Sequence, residues 1–308
     1  MMLPLLSGKF RPFAHLMLTI MSLWLLSCEK EITIELDQPS ASLVVDASIE
    51  NGQPPVVFLS RSMNYFSKIN PEILSSSFVR GASVFISDGR MRVKLREDSL
   101  KRNGGLPVFY YSVDPFNPSG LMIGSLNTGY TLEISAEGKS YTAKTSIPPI
   151  TRRIDSLWWE DLKGPREPED SNSVLVMMRG ADKPGLGNYI RYFTRVNRGV
   201  FLPGFNSVFD DQVIDGSVYT VTIDKGFDKN GDFEPSERYF KRGDTVALKL
   251  CEIDKASYDF FRTMEFSFQS VGNPFSSPVK VLGNISGGAL GAFTGYAAQY
   301  RQLIIPRK

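Results

Sequence analysis

Asp228-Lys229-Asn230-Gly231-Asp232 sets three oxygen-bearing side chains at alternate positions, as calcium loops do to offer hard ligands to a hard cation. Asp228, Asn230 and Asp232 are therefore the candidate metal ligands, with Glu234 or Glu237 as a completing carboxylate. The EF-hand template is not met, because Phe233 stands where that loop needs glycine and Tyr239 where it needs a bidentate glutamate. A polar Asn-Gly hairpin turn is the favoured reading of this segment. Trp158 and Trp159, followed by Glu160-Asp161, offer an aromatic platform for a sugar ring. Successive side chains of a strand point to opposite faces, so one surface receives at most one indole, and we expect one ring buried and one partly exposed. Gly138-Lys139-Ser140 matches the end of a phosphate loop, but Glu133 replaces the first glycine and the segment joins two strands rather than opening a helix. It reads as a turn.

Arg191 and Arg195 share one face of a predicted strand with Phe193 between them, and a solvated face is expected there rather than a site for an acidic partner. Cys251 lies in the apolar run VALKLCEI with no histidine to activate it, so a buried, inert thiol is expected. No G-x-S-x-G elbow occurs. Paired carboxylates of glycosidase type stay open, because their spacing is set in three dimensions.

The rare residues limit the chemistry further. The single histidine, His15, falls in an N-terminal segment expected to be removed. Lys9 and Arg11 precede an uncharged run from Phe13 to Leu26, which is too short to be a permanent spanning helix and has the grammar of a signal peptide. The run closes on Leu25-Leu26-Ser27-Cys28, which resembles a bacterial lipobox, so Cys28 is the expected site of lipidation. Double acylation gives stable attachment where one chain is marginal. Loss of Lys9 and Arg11 leaves 33 basic residues against 33 acidic ones, a balance that argues against nucleic acid as partner. With Cys28 acylated, Cys251 has no disulfide partner within the chain.

The elements that must position these residues read as strands closed by turns. Ser42 to Ile49 and Val56 to Leu59 flank Asn51-Gly52, where a type I′ hairpin turn is expected. Ala82 to Ser87 and Met91 to Leu95 flank Asp88-Gly89, and Tyr130 to Ala136 and Tyr141 to Thr145 flank Glu137-Gly138. Pro148-Pro149 supplies a domain break. Beyond it, Ile154 to Trp159, Ser173 to Met178, Tyr189 to Val196, Ser217 to Ile223 and Thr245 to Ile253 read as strands. One helix, near 254–270, is capped by Asp254 and carries Tyr258, Phe261, Met264 or Glu265, and Phe268 at helical spacing. The expected organisation is mainly β: a signal peptide (1–27), a lipidated tether (28–41), an N-terminal β-sandwich-like domain (42–147) and a C-terminal β-rich domain (151–308) with the one helix. The tail from Gly283 to Gly295 reads as glycine-rich, serving turns or close backbone approach.

The order of features, from the lipobox cysteine through LVVDASIENGQPP, GASVFISDG, AEGKSYTAKTSIPP and IDSLWW to NPFSSPVKVLGNISGGALGAFTGY, resembles the Bacteroidota lipoprotein family known as domain of unknown function 4249. The resemblance implies an outer-membrane lipoprotein, often encoded beside a TonB-dependent transporter, and no activity. Glu29-Lys30-Glu31 also looks like the charged signals that export such lipoproteins to the cell surface. The expected function is a nonenzymatic, membrane-tethered binding or accessory subunit without a cofactor, calcium excepted. The alternatives are a glycan-binding or adhesive module using Trp158 or Trp159, and a carboxylate-based hydrolase.

Overall fold

The computed structural model describes residues 41–63, 71–101, 105–117, 120–162, 172–229, 235–271, 275, 277 and 279–307. Cys28, Asn230 and Asp232 lie outside them. The fold is mainly β, as expected.

The first half runs through Leu43–Glu50 (β1), Val56–Arg61 (β2), the short helix Pro71–Ser77 (α1), Ser83–Ser87 (β3), Arg92–Lys94 (β4), Arg96–Leu100 (β5), Val108–Ser112 (β6), Thr128–Ala136 (β7) and Lys139–Ile147 (β8). The second half holds Arg153–Asp161 (β9), Ser173–Ala181 (β10), Tyr189–Val196 (β11), Leu202–Phe209 (β12), Val218–Ile223 (β13), Phe240–Lys241 (β14), Thr245–Ile253 (β15), the helix Lys255–Ser270 (α2) and the 15-residue Leu290–Ile304 (β16). Three sheets result: an eight-stranded one in the order β12-β11-β15-β16-β1-β2-β6-β5, a four-stranded β4-β3-β7-β8, and a small one in which β10 is flanked by β9 on one side and by β13 and β14 on the other.

In the N-terminal half the alternating apolar residues Val45, Ala47, Ile49, Val57 and Leu59 face Val84, Ile86, Leu132 and Ile134 across a sandwich, and β16 contributes Phe293 and Ala297 to this core. A second core lies between the small sheet and the long one, around Val174, Val176, Met178, Tyr192, Leu248 and Leu250. A third lies under α2, where Tyr258 and Phe261 cover Cys251, Ile253 and Tyr296.

The break placed at 148–150 falls between cores, but the long sheet crosses it, and Ala41–Lys308 group as one compact unit. The link is the parallel pairing of β1 with β16, Val44 opposite Leu290 through Glu50 opposite Tyr296. The last part of the tail read as glycine-rich, Leu290 to Gly295, therefore opens a central strand. Its glycines permit close approach: a Cβ on Gly291 (φ 99°) would lie 2.0 Å from the Val45 carbonyl oxygen, and one on Gly295 would lie 2.2 Å from that of Ser146.

The turn after β1 also departs from expectation. Gly52 has φ 77° while Asn51 does not enter the left-handed region, and Gln53 N–H donates to the Glu50 carbonyl at 3.0 Å, as in a type II turn. The Asn51 side chain instead accepts from Ala298 N–H at 2.6 Å, continuing the β1–β16 ladder by one residue. By contrast, Glu137 (φ 52°) and Gly138 (φ 75°) do form the tight turn expected between β7 and β8. α2 is capped as the sequence predicts, with Asp254 Oδ1 accepting from Ser257 N–H at 2.8 Å.

Candidate functional site

A cleft of about 530 Å³ opens between the small sheet and the end of the long one. Pairing of β10 with β13 puts Met178 opposite Val221, and these with Ile223 form one wall. Ile190, Val208, Phe209 and Leu250 form the other, and Tyr258 and Arg262 of α2 reach the rim. Its volume and mostly apolar walls suit a small ligand or a run of side chains.

At the foot of the cleft lies Arg152, whose side chain is fully buried. Its Nε donates to Asp182 Oδ1 at 2.6 Å and its Nη2 to the Asn188 carbonyl at 3.2 Å, while Nη1 has no partner. The Arg152 and Thr151 backbone N–H groups donate to Glu252, whose carboxyl is nonetheless pushed up by burial. Tyr219 Oη is a second buried group without a partner, and burial likewise raises its phenol. Unpaired buried donors are costly and call for an explanation. The cleft also holds two acids, each engaged: Asp210 accepts from Tyr258 Oη at 3.0 Å and Asp224 from Arg238 Nη2 at 3.1 Å.

Beside Arg152, carboxylate oxygens of Asp182, Asp211 and Asp215 lie within 4.8 Å of one another. Donors already surround them. Asp211 accepts from the N–H groups of Gly187 (3.1 Å) and Asn188 (2.9 Å), Asp215 from Gly185 N–H (2.7 Å), and Asp182 from Gly216 N–H (3.3 Å) besides Arg152. Burial would raise the Asp211 carboxyl, but the backbone donors of Asn188 and Gly187 together hold it below the usual carboxylate range. The cluster acts as a clamp on the loops before β11 and after β12.

The family described as Domain of unknown function (DUF4249) matches residues 29–302, which include every residue lining this cleft. The chain belongs to the DUF4249 family. A search of curated proteins gives no match.

Of the described residues singled out by sequence in this DUF4249 member, only Tyr258 of the helix stripe lines the cleft. Asp228 is exposed, and its neighbour Lys229 turns inward to Glu265 Oε1 at 3.2 Å. Trp158 and Trp159 are both half-buried, not one buried and one exposed. Trp158 donates its indole N–H to Glu160 at 2.8 Å, while Trp159 packs against the second core with the Arg242 guanidinium 4.5 Å from its ring. Arg191 overturns the expectation of a solvated face. It is buried under α2, 3.4 Å from the Phe261 ring, and donates to Ser207 Oγ (3.3 Å) and Tyr296 Oη (3.0 Å). The helix that packs on this face of the sheet is what removes it from water. Cys251 is fully buried, and burial pushes its thiol up to about 12, as an inert cysteine requires. Arg152, Asp182 and Tyr219 escaped sequence reading because the groups around them come from other elements. The one local sign was β13 itself, an uncharged β-branched run.

Proposed function

We propose that the protein is a lipid-anchored accessory subunit of the outer membrane, tethered through Cys28, which binds by contact and works with a TonB-dependent transporter. The observation that carries the binding role is the apolar cleft with two unpartnered buried donors at its foot, an arrangement suited to holding a ligand oxygen. The chemistry available supports binding over catalysis: the one histidine is His15, and the one thiol of the described residues is buried. No helix among the described residues is long and apolar enough to cross a membrane; in this reading the anchor is the lipid on Cys28. The transporter enters through the family resemblance alone.

The test is purification of the tagged, acylated protein from native outer membranes in mild detergent. A TonB-dependent barrel present at constant stoichiometry, lost together with membrane attachment in Cys28→Ala, is the expected result. The lipoprotein alone in that fraction would overturn the partner role. A carboxylate hydrolase is the second reading, favoured by Asp210 and Asp224 sharing one cleft. Hydrolysis of a glycoside panel that disappears in both Asp210→Asn and Asp224→Asn would establish it instead.

A further inference from the structure

A strand at a sheet edge presents unpaired backbone N–H and C=O groups, and proteins guard such edges with charge, proline, short length or a covering element. Five edges here are guarded. β5 carries Arg96, Glu97 and Asp98, and β4 is three residues long with Arg92 and Lys94. β9 carries Arg153, Asp155, Glu160 and Asp161. β8 is covered where Ser286 N–H donates to the Thr142 carbonyl at 2.8 Å, and β12 where Ser207 N–H donates to Glu265 of α2 and Phe227 N–H to the Pro203 carbonyl.

Among the described residues β13 has none of these devices. Its sequence, VYTVTI, has no charge and no proline, four of its six residues are exposed, and no strand among the described residues pairs with its outer edge. It also borders the cleft, into which Tyr219, Val221 and Ile223 project.

We propose that β13 is a docking edge, where an extended, uncharged segment of a partner polypeptide adds as a further strand and lays alternate apolar side chains into the cleft. Strand addition takes its affinity from main-chain hydrogen bonds and its selectivity from pockets for every second side chain, and edge and cleft here supply one of each. An uncharged edge is matched by an uncharged strand, since a charge set against it would lose hydration without gaining a partner. A second copy of this chain fits less well. Its own Tyr219, Val221 and Ile223 already wall its own cleft, so two β13 edges set side by side would place those side chains each in its own cleft and none in its neighbour's.

The inference rests on the proposed function only in taking a protein as partner. It is tested by amide hydrogen exchange on the full acylated chain in detergent, with a short capped peptide of alternating valine and threonine as the probe. Saturating peptide is expected to slow exchange across 218–223 by about tenfold or more. The same peptide N-methylated on its pairing amides, or the variant Thr220→Lys, should abolish that slowing. No slowing, or slowing that survives N-methylation, would overturn the strand-addition geometry. So would β13 amides that are already as protected as those of β10 without peptide, which would mean the edge is covered by this chain or by a second copy. Should Thr220→Lys fail to fold, the N-methylated peptide still decides. Any of these failures leaves copurification of the transporter untouched, so the two readings fall separately.

Discussion

The two halves of the chain bury different things. The N-terminal sandwich is closed by apolar side chains such as Val84, Ile86, Leu132 and Ile134, whereas every buried charged residue among those described (Arg152, Asp182, Arg191, Asp211, Glu252 and Glu265) lies beyond residue 150. A buried charge costs several kcal/mol of desolvation even when paired, and its replacement by apolar residues is often neutral or stabilising. A half that retains six such groups, and leaves a donor of one of them unpartnered, is organised for something besides stability, while its neighbour is organised as a scaffold. The cleft lies in the charged half.

The largest expected effect sharpens that contrast. Asp182→Ala leaves the Arg152 guanidinium buried without its counter-charge and should cost about 3–5 kcal/mol of stability, read from urea unfolding. The joint replacement of Arg152 by Met and Asp182 by Leu should restore most of it. Leu132→Ala in the apolar half should cost about 2–5 kcal/mol with no single second change able to rescue it. A double replacement as unstable as Asp182→Ala would break the distinction.

A smaller effect is expected at the seam between halves. Asp254 caps α2 and also accepts, through Oδ2, from Thr145 Oγ1 (2.8 Å) and Ser146 N–H (3.0 Å) at the end of β8. Asp254→Ala should cost about 1–2 kcal/mol and loosen α2 and the end of β8 together in hydrogen exchange. Loosening of α2 alone would mean that the cap does not couple the halves.

The smallest is a pH effect. Asp211 titrates below its ordinary value of 3.8, so its contribution to stability is fully present above that value and is lost as pH falls through the lower folded one. Exchange protection of the Gly187 and Asn188 amides should therefore fall below about pH 4 while that of β7 holds. Asp211→Asn should flatten this response.

Much of the scaffold was legible in the sequence. β1, β2, β3, β7 and β8 each bury every second residue, so a period of two shows in their composition, and Glu137-Gly138 between two such runs announces the turn that its two positive φ angles then make. β11 and β15 run from Tyr189 to Val196 and from Thr245 to Ile253, as predicted, because β-branched and aromatic runs bounded by polar residues survive loss of alternation. β5, β6, β12, β14 and β16 were not foreseen, nor was the short helix α1 beside the one expected helix. β16 is buried on both faces through its middle, from Ala292 to Ala298, so no alternation marks it, and its glycines look like turn residues unless the strands lying against them are known.

By itself, then, the sequence determined what depends on near neighbours: the mainly β character, the hairpin turns, the Asp254 cap, the inert Cys251 and the narrow range of side-chain chemistry. Tertiary structure alone decided the parallel pairing of β1 with β16 that merges two expected domains, the burial of Arg191 under α2, the placing of Asp182 against Arg152, and the cleft beside an unguarded edge. The division has one physical cause. Propensity and periodicity act over a few residues, whereas the environment of a charge or a glycine is set by whichever distant strand packs against it, and that choice belongs to the chain as a whole.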